Sequence, residues 1–421
     1  MATARHATVA LTYNGKSAAQ MAQYLSSFQY TDVASGSSDN ISIELNDPDR
    51  RWIGGWFPQK GDKLKPTIQM FNWNRDGGTE TIKCGTFVVD DFSFKGGPIK
   101  LNLKALAIPS LSGFKTTERT HTFENTNIKA IGEVIAQRNG LTLYYDAPDI
   151  AIESVAQDKQ NDCSFYSDLV VKYGLALKLY NDRLVVFNEA TYEAAKSVAT
   201  LSEADFEPGW TWNTTLAGTY TGVDYQYTHT EKNQTFTEKI GSGDRILTCN
   251  DEANNQTEAT IIALAKLNAA NKGTTTMKIT LRAAKRITAT SCVDIVGLGN
   301  LNGKYFVEEV TTTVGGGTKM SLSLRRVEKR FTKSIAAPAT TAPAAAAPAA
   351  QTATPKKGEQ YTLTATKVGY YTAAEAKAGR ATGGHPTATV KAGTYYIFNT
   401  SQGMLNLSRS SSSPGSWVNP N

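Results

Sequence analysis

Asp162, Cys163 and Ser164 are the residues of this chain whose types and order best suit covalent chemistry. They open a stretch patterned as a helix, and a helix N-terminus favours a thiolate. Such a thiol works as a nucleophile only with a histidine beside it and a third polar group orienting that histidine. Only His229 and His385 lie downstream of Cys163. His229 sits in the alternating run YTHTEK, and His385 in the turn GGHPT far along the chain. Asn161 or Asp162 therefore reads as a helix cap, with Cys163 in the first turn.

Other constellations are weaker. Glycoside hydrolysis needs two carboxylates flanking a cleft. Glu124, Glu133, Asp146, Asp149 and Glu153 lie close in sequence, but their polar surroundings read as a solvated face. Cys84, Cys163, Cys249 and Cys292 are widely spaced with no C-x-x-C pair, which argues for reduced, mostly buried thiols and against a zinc site. No metal or other cofactor is expected. Arg325, Arg326, Lys329, Arg330 and Lys333 read as a solvated basic face. The last segment is rich in aromatics, and Tyr370, Tyr371, Tyr395 and Trp417 are its candidate ligand-binding residues, able to stack on sugars. Trp417, beside the loop Ser410–Ser413, leads that group.

The elements that must position these residues fall into five regions. Residues 1–110 carry alternating runs (Ala7–Tyr13, Ile41–Leu45, Thr67–Phe71, Thr81–Val89, Ile99–Leu103) separated by turn clusters, the pattern of a β-barrel. Residues 111–200 hold two helix–glycine–strand units, AQRNGLTLYY and VVKYGLALKLY, which echo each other as a small α+β bracing module. Ile128, Ile131, Val134 and Ile135 should share one helix face, and Phe165, Leu169, Val170 and Tyr173 another. Residues 201–333 form a second β-barrel domain with one longer helix near Thr257–Ala270. Residues 334–357 are a Pro/Ala-rich linker that cannot build a core. Residues 358–421 form a small SH3-like barrel.

The chain's 44 Lys and Arg exceed its 38 Asp and Glu by six, and residues 355–421 hold seven of the cations against two acids. The body is nearly neutral, unlike a nucleic-acid-binding domain. No apolar run is long enough to span a bilayer, and the N-terminus lacks the apolar core of a secretory signal.

Three stretches together resemble the baseplate hub of contractile phage tails, the late control protein D family, related to type VI secretion spike hub domains. They are Ile131–Leu141 with Gln157, Asn161-Asp162, Phe165, Leu169, Tyr173-Gly174 and Arg183-Leu184; Glu258–Leu267 followed by Thr275–Leu281; and Cys292–Arg326. The usual small-Gly-Asp turn before the third stretch is replaced by Ala289-Thr290-Ser291. The resemblance covers residues 5–330. It implies a homotrimer whose two barrels per chain give a pseudo-sixfold ring. That ring would join the tail tube to a spike or central needle and to other baseplate proteins. The location would be a virion tail baseplate, assembled in the host cytoplasm, with DNA only passing through.

The last segment is similar to C-terminal domains of Gram-positive phage lysins and tail proteins, through Gly369–Ala374, Gly393–Tyr396, Phe398-Asn399, Gly403-Met404 and Pro414–Trp417. That likeness implies contact with a Gram-positive cell wall. Asp162-Cys163-Ser164 also resembles the nucleophile motif of papain-like peptidoglycan peptidases, but Phe165-Tyr166 departs from it. The expectation is a non-enzymatic structural hub. The alternatives are a tail-associated peptidoglycan hydrolase using Cys163, or an injection-system hub carrying an adaptor domain.

Overall fold

The computed structural model describes residues 4–73, 77–107, 113–282, 284–333, 357–363, 365–410 and 413–420. Most of the linker expected at 334–357 thus lies outside the described residues. The chain divides into two compact units, Met1–Ala336 and Ala337–Asn421.

The first unit begins with β1 (His6–Tyr13), β2 (Lys16–Ser17), β3 (Leu25–Val33), β4 (Asn40–Asn46), β5 (Lys63–Phe71), β6 (Thr79–Lys83), β7 (Phe87–Lys95) and β8 (Lys100–Leu106). A helix–strand module follows: α1 (Gly113–Thr116), β9 (Glu118–Asn127), α2 (Ile128–Arg138), β10 (Thr142–Asp146), β11 (Ala151–Asn161), α3 (Asp162–Lys172), β12 (Ala176–Tyr180), β13 (Arg183–Phe187) and α4 (Glu189–Ala194). The unit closes with β14 (Ala199–Leu201), β15 (Thr211–Thr214), β16 (Gly222–His229), β17 (Gln234–Gly241), β18 (Ile246–Cys249), α5 (Gln256–Asn271), β19 (Thr275–Leu281), β20 (Cys292–Ile295), β21 (Gly303–Val314) and β22 (Thr318–Arg326).

The chain is mainly β with a small helix–strand module, as its patterning implies. The two β regions are joined as one surface. β21 pairs antiparallel with β3, from Glu309 opposite Val33 to Val314 opposite Phe28. This seam fuses them into a 14-stranded sheet whose main path runs β15-β19-β22-β21-β3-β4-β8-β7-β5-β1-β2. Alternation drives the packing: in β4, Ile41, Ile43 and Leu45 are buried, while Ser42 and Glu44 face away. One apolar cluster runs through both regions, from Val9, Phe28 and Leu103 to Met277, Val293 and Leu324. Each such large apolar side chain contributes about 1.5–3 kcal/mol when fully buried.

The echo in the module is real at the level of conformation. α2 leads through Gly140 (φ 66°) into β10, and α3 through Gly174 (φ 74°) into β12. Both glycines take the left-handed cap conformation that β-carbon-bearing residues disfavour. β10 and β12 flank β13, the first parallel and the second antiparallel to it. Phe165, Leu169, Val170 and Tyr173 are buried as patterned. Val134 is 44% exposed, so the inward face of α2 is Ile128, Ile131 and Ile135 instead. In α5, Ile262, Ala263 and Leu267 pack on the sheet β17-β16-β18, leaving Ile261 and Leu264 only half-buried.

The second unit holds β23 (Gln360–Leu363), β24 (Lys367–Gly369), α6 (Ala373–Ala378), β25 (Ala388–Val390), β26 (Gly393–Ser401), β27 (Met404–Ser408) and β28 (Ser416–Val418). Its sheets are β23-β26-β27-β28 and β24-β25.

Candidate functional site

Asn161 is the cap of α3: its side chain accepts from the Ser164 N–H at 2.9 Å. Asp162 has another task. It is fully buried, with Arg138 at 3.0 Å and Arg119 at 3.3 Å. Asn139 donates to it at 2.8 Å and Gln157 at 3.0 Å. This cluster ties β9, α2, β11 and α3 together. Cys163 is half-buried, and loss of solvent pushes its thiol pKa up, against the direction a nucleophile needs. The bonded ring nitrogens of His6, His229 and His385 engage Ala4, Lys232 and Glu375. Among the described residues none bonds Cys163.

Glu124, Glu133, Asp146, Asp149 and Glu153 are all exposed. Asp146 accepts from Tyr192 and Glu153 pairs with Lys232, so these groups brace the surface instead of converging on a cleft.

The basic run at the end of β22 is only partly the solvated face its sequence suggests: Lys329 and Lys333 are exposed and Arg326 and Arg330 half-buried, but Arg325 is not. Arg325 is 1% exposed, lies 4.3 Å from the centroid of the Phe306 ring, and pairs with Glu193 at 2.5 Å and Glu308 at 3.1 Å. Arg330 pairs with Glu193 at 2.6 Å, and Lys272 with Glu189 at 3.1 Å. Lys333 pairs with Glu238 at 2.5 Å. α4 therefore supplies the acids that clamp β22, its C-terminal extension and α5. Compositional reading missed this because Glu189 and Glu193 lie well over a hundred residues upstream.

The loop between β4 and β5 carries a group of packed aromatics. Asp47 accepts from the Trp52 and Ile53 N–H groups, both at 3.1 Å, fixing the loop's first turn. Trp52 and Trp56 pack edge-to-face at 5.4 Å, and Arg51 lies 5.0 Å from the Trp56 ring centroid. A cavity of about 440 Å³ lies beside Tyr13, Met21, Trp52, Trp56 and Phe57. Ile53 and Phe57 are each 47% exposed at the surface.

In the second unit the four candidate aromatics do not share one surface. Tyr370 and Trp417 exchange backbone hydrogen bonds at 2.8 and 2.9 Å, and both half-buried rings pack on Ala373, Ala376 and Met404. Tyr395 lies against another cluster with Leu363, Ile397 and Leu405, and its hydroxyl donates to the Lys391 carbonyl at 2.8 Å. Tyr371 alone of the four is well exposed. Its ring meets His385, a residue the sequence suggested only as a distant base.

No family model matches the chain, and no curated protein matches it. Solved structures do share its fold. A prophage 43 kDa tail protein from Shewanella oneidensis superposes with a TM-score of 0.59 at 12% identity, covering 76% of this chain and 98% of its own. A tail protein from Neisseria meningitidis gives 0.59 at 13% identity, with 76% and 97% covered. A prophage tail protein from Listeria monocytogenes gives 0.50 at 10% identity, with 76% and 95% covered. The chain is thus similar in fold to phage tail proteins across most of its length.

Proposed function

We propose that the protein is a non-enzymatic structural hub of a phage tail or tail-like injection system. Three copies would form a ring joining the tail tube to a spike or central needle and to other baseplate proteins. The observation that carries this reading is the β21–β3 seam, which makes two β regions one continuous sheet. Among the described residues, β15 and β2 end that sheet's main path, each with one strand neighbour. β6 and β14 are further edge strands off that path, and unlike edges of one sheet suit head-to-tail association, which closes into a ring when the rotation permits. The shared fold with tail proteins supports the same reading, as do the exposed Ile53 and Phe57. DNA would pass through the ring without sequence-specific contacts. The C-terminal unit would bind cell wall or another baseplate protein.

Native mass spectrometry of the purified chain, with low-resolution imaging of assembled particles, tests this. A trimer and a threefold ring at the tube tip are expected. A chain that stays monomeric at high concentration and is missing from the particle would sink the reading.

A further inference from the structure

The loop after α6 is built around one buried carboxylate. Glu375, 3% exposed, accepts from the Thr372 N–H at 3.1 Å and the Thr382 N–H at 2.7 Å. It also takes the Thr382 hydroxyl at 2.9 Å and lies 3.0 Å from His385 Nδ1. Gly379 (φ 64°) caps the helix, and the Arg380 N–H returns to the Glu375 carbonyl at 3.2 Å. These bonds fix the imidazole and leave Nε2 as its remaining polar atom. They also set the ring against Tyr371, with centroids 4.5 Å apart and planes tilted 39°. Tyr371 is 66% exposed. A large aromatic ring held in place yet open to solvent can serve as a stacking platform.

We propose that Tyr371 and His385 form the ligand face of the C-terminal unit and bind an anionic glycan, a sugar ring next to a phosphodiester. This rests on reading that unit as a wall-binding domain. The sugar's C–H face stacks on Tyr371, and His385 Nε2 hydrogen-bonds a hydroxyl or phosphate oxygen. The charge argues for an anion: seven Lys and Arg stand against two Glu over residues 355–421, and Glu375 is already committed to the loop. Lys377 and Arg380, both exposed, flank the platform in sequence. Single-stranded nucleic acid is also anionic and ring-bearing, but it is held by successive exposed aromatics along a groove. Here Tyr370, Tyr395 and Trp417 are packed into apolar clusters, and among the described aromatics of the unit Tyr371 is the one that is well exposed.

The test is sedimentation of the full-length chain with purified Gram-positive cell wall, intact or stripped of its phosphate polymers, with a single-stranded oligonucleotide in parallel. Binding to intact wall should fall at least tenfold on stripping, and at least tenfold in Tyr371→Ala and in His385→Ala. Tyr371→Phe, which keeps the stacking face, should bind like the parent, and the alanine variants should keep the parent's circular dichroism spectrum and melting temperature if their losses are local. Parent-like binding by both alanine variants would overturn the site while leaving wall binding intact. Equal binding to stripped wall, or tighter binding to the oligonucleotide, would overturn the ligand class. Failure of the parent to bind any wall would overturn the wall-binding reading itself, whatever the state of the ring.

Discussion

Lys178 on β12 reaches out of the helix–strand module to Asp32 on β3, and its ammonium lies 3.3 Å from Asp39 and 2.7 Å from the Val33 carbonyl oxygen. Asp32 also accepts from the Ala289 N–H at 2.9 Å, so the first β region, the module and the second β region meet at one charge cluster. Breaking a buried ion pair from one side leaves uncompensated charge and costs about 3–5 kcal/mol. Lys178→Met should therefore lower the denaturation midpoint strongly without changing the denaturant slope. Adding Asp39→Asn should recover part of the loss, because one of the stranded carboxylates is gone. A midpoint equal to the parent's in Lys178→Met would show that the joint is not held by this cluster.

The same cluster sets a pH dependence. Two buried carboxylates share one lysine, and burial, opposed by Lys178 and reinforced by Asp32, raises the Asp39 pKa to about 6. The folded value lies above the unfolded one, so between about pH 4 and 6 the folded state holds a proton that the unfolded state releases. That contribution to stability is fully present below the unfolded pKa and is lost as pH rises through about 6. Asp39→Asn removes it. The stability difference between variant and parent should therefore shift in the variant's favour from pH 4.5 to 7. Parallel pH profiles for the two proteins would refute the assignment.

The fold was legible wherever pattern and local chemistry carried it. Strand alternation, the glycine stops at Gly140 and Gly174, and the cap at Asn161 can all be read from neighbouring residues. The β21–β3 seam was not, because its pairing spans nearly three hundred residues and both strands alternate equally well as barrel members. The charge clusters were illegible for the same reason. Asp162 reads as a possible helix cap, and only the fold shows Arg119 and Arg138 closing on it. In the C-terminal unit the aromatic types were visible, but burial separates Trp417 from Tyr371, and that depends on where α6 packs.

Gly132 gives a prediction opposite in sign to helix propensity. In a helix interior, glycine is about 1 kcal/mol worse than alanine, so Gly132→Ala would stabilise an isolated α2. Here a β-carbon would stand 2.1 Å from the Tyr166 hydroxyl and 3.1 Å from Leu143 Cδ2. Tyr166 is fully buried and donates to the Ile128 carbonyl at 3.2 Å, so it cannot swing away freely. Overpacking of this kind costs about 1–3 kcal/mol. Gly132→Ala should lower the melting temperature, and Tyr166→Phe in the same chain should relieve part of that loss.

Cys163 should behave as a structural thiol. Its pKa is pushed up by burial and by Asp168, with Lys115 pulling the other way, so little thiolate forms near neutrality. Iodoacetamide should label it more slowly at pH 7 than a free cysteine, and Cys163→Ala should assemble like the parent. Loss of wall digestion in that variant, with folding intact, would restore the hydrolase alternative.

Arg325 separates a buried clamp from a solvated face. If its charge only decorated the surface, Arg325→Ala would change stability by a few tenths of a kcal/mol, within the range of exposed pairs. The guanidinium instead faces Glu193 and Glu308 with almost no solvent contact. Removing it leaves Arg330 and Lys272 as the remaining cations for Glu189 and Glu193. The expected loss is about 3–5 kcal/mol, as for other buried pairs broken from one side. Because α4 connects the module to the sheet through this clamp, hydrogen exchange should accelerate in α4 and at the end of β22 before it does in β4 or β8. Uniform acceleration across the first unit would mean that α4 is not a separately latched element, and the clamp would then be one contributor to a single cooperative core.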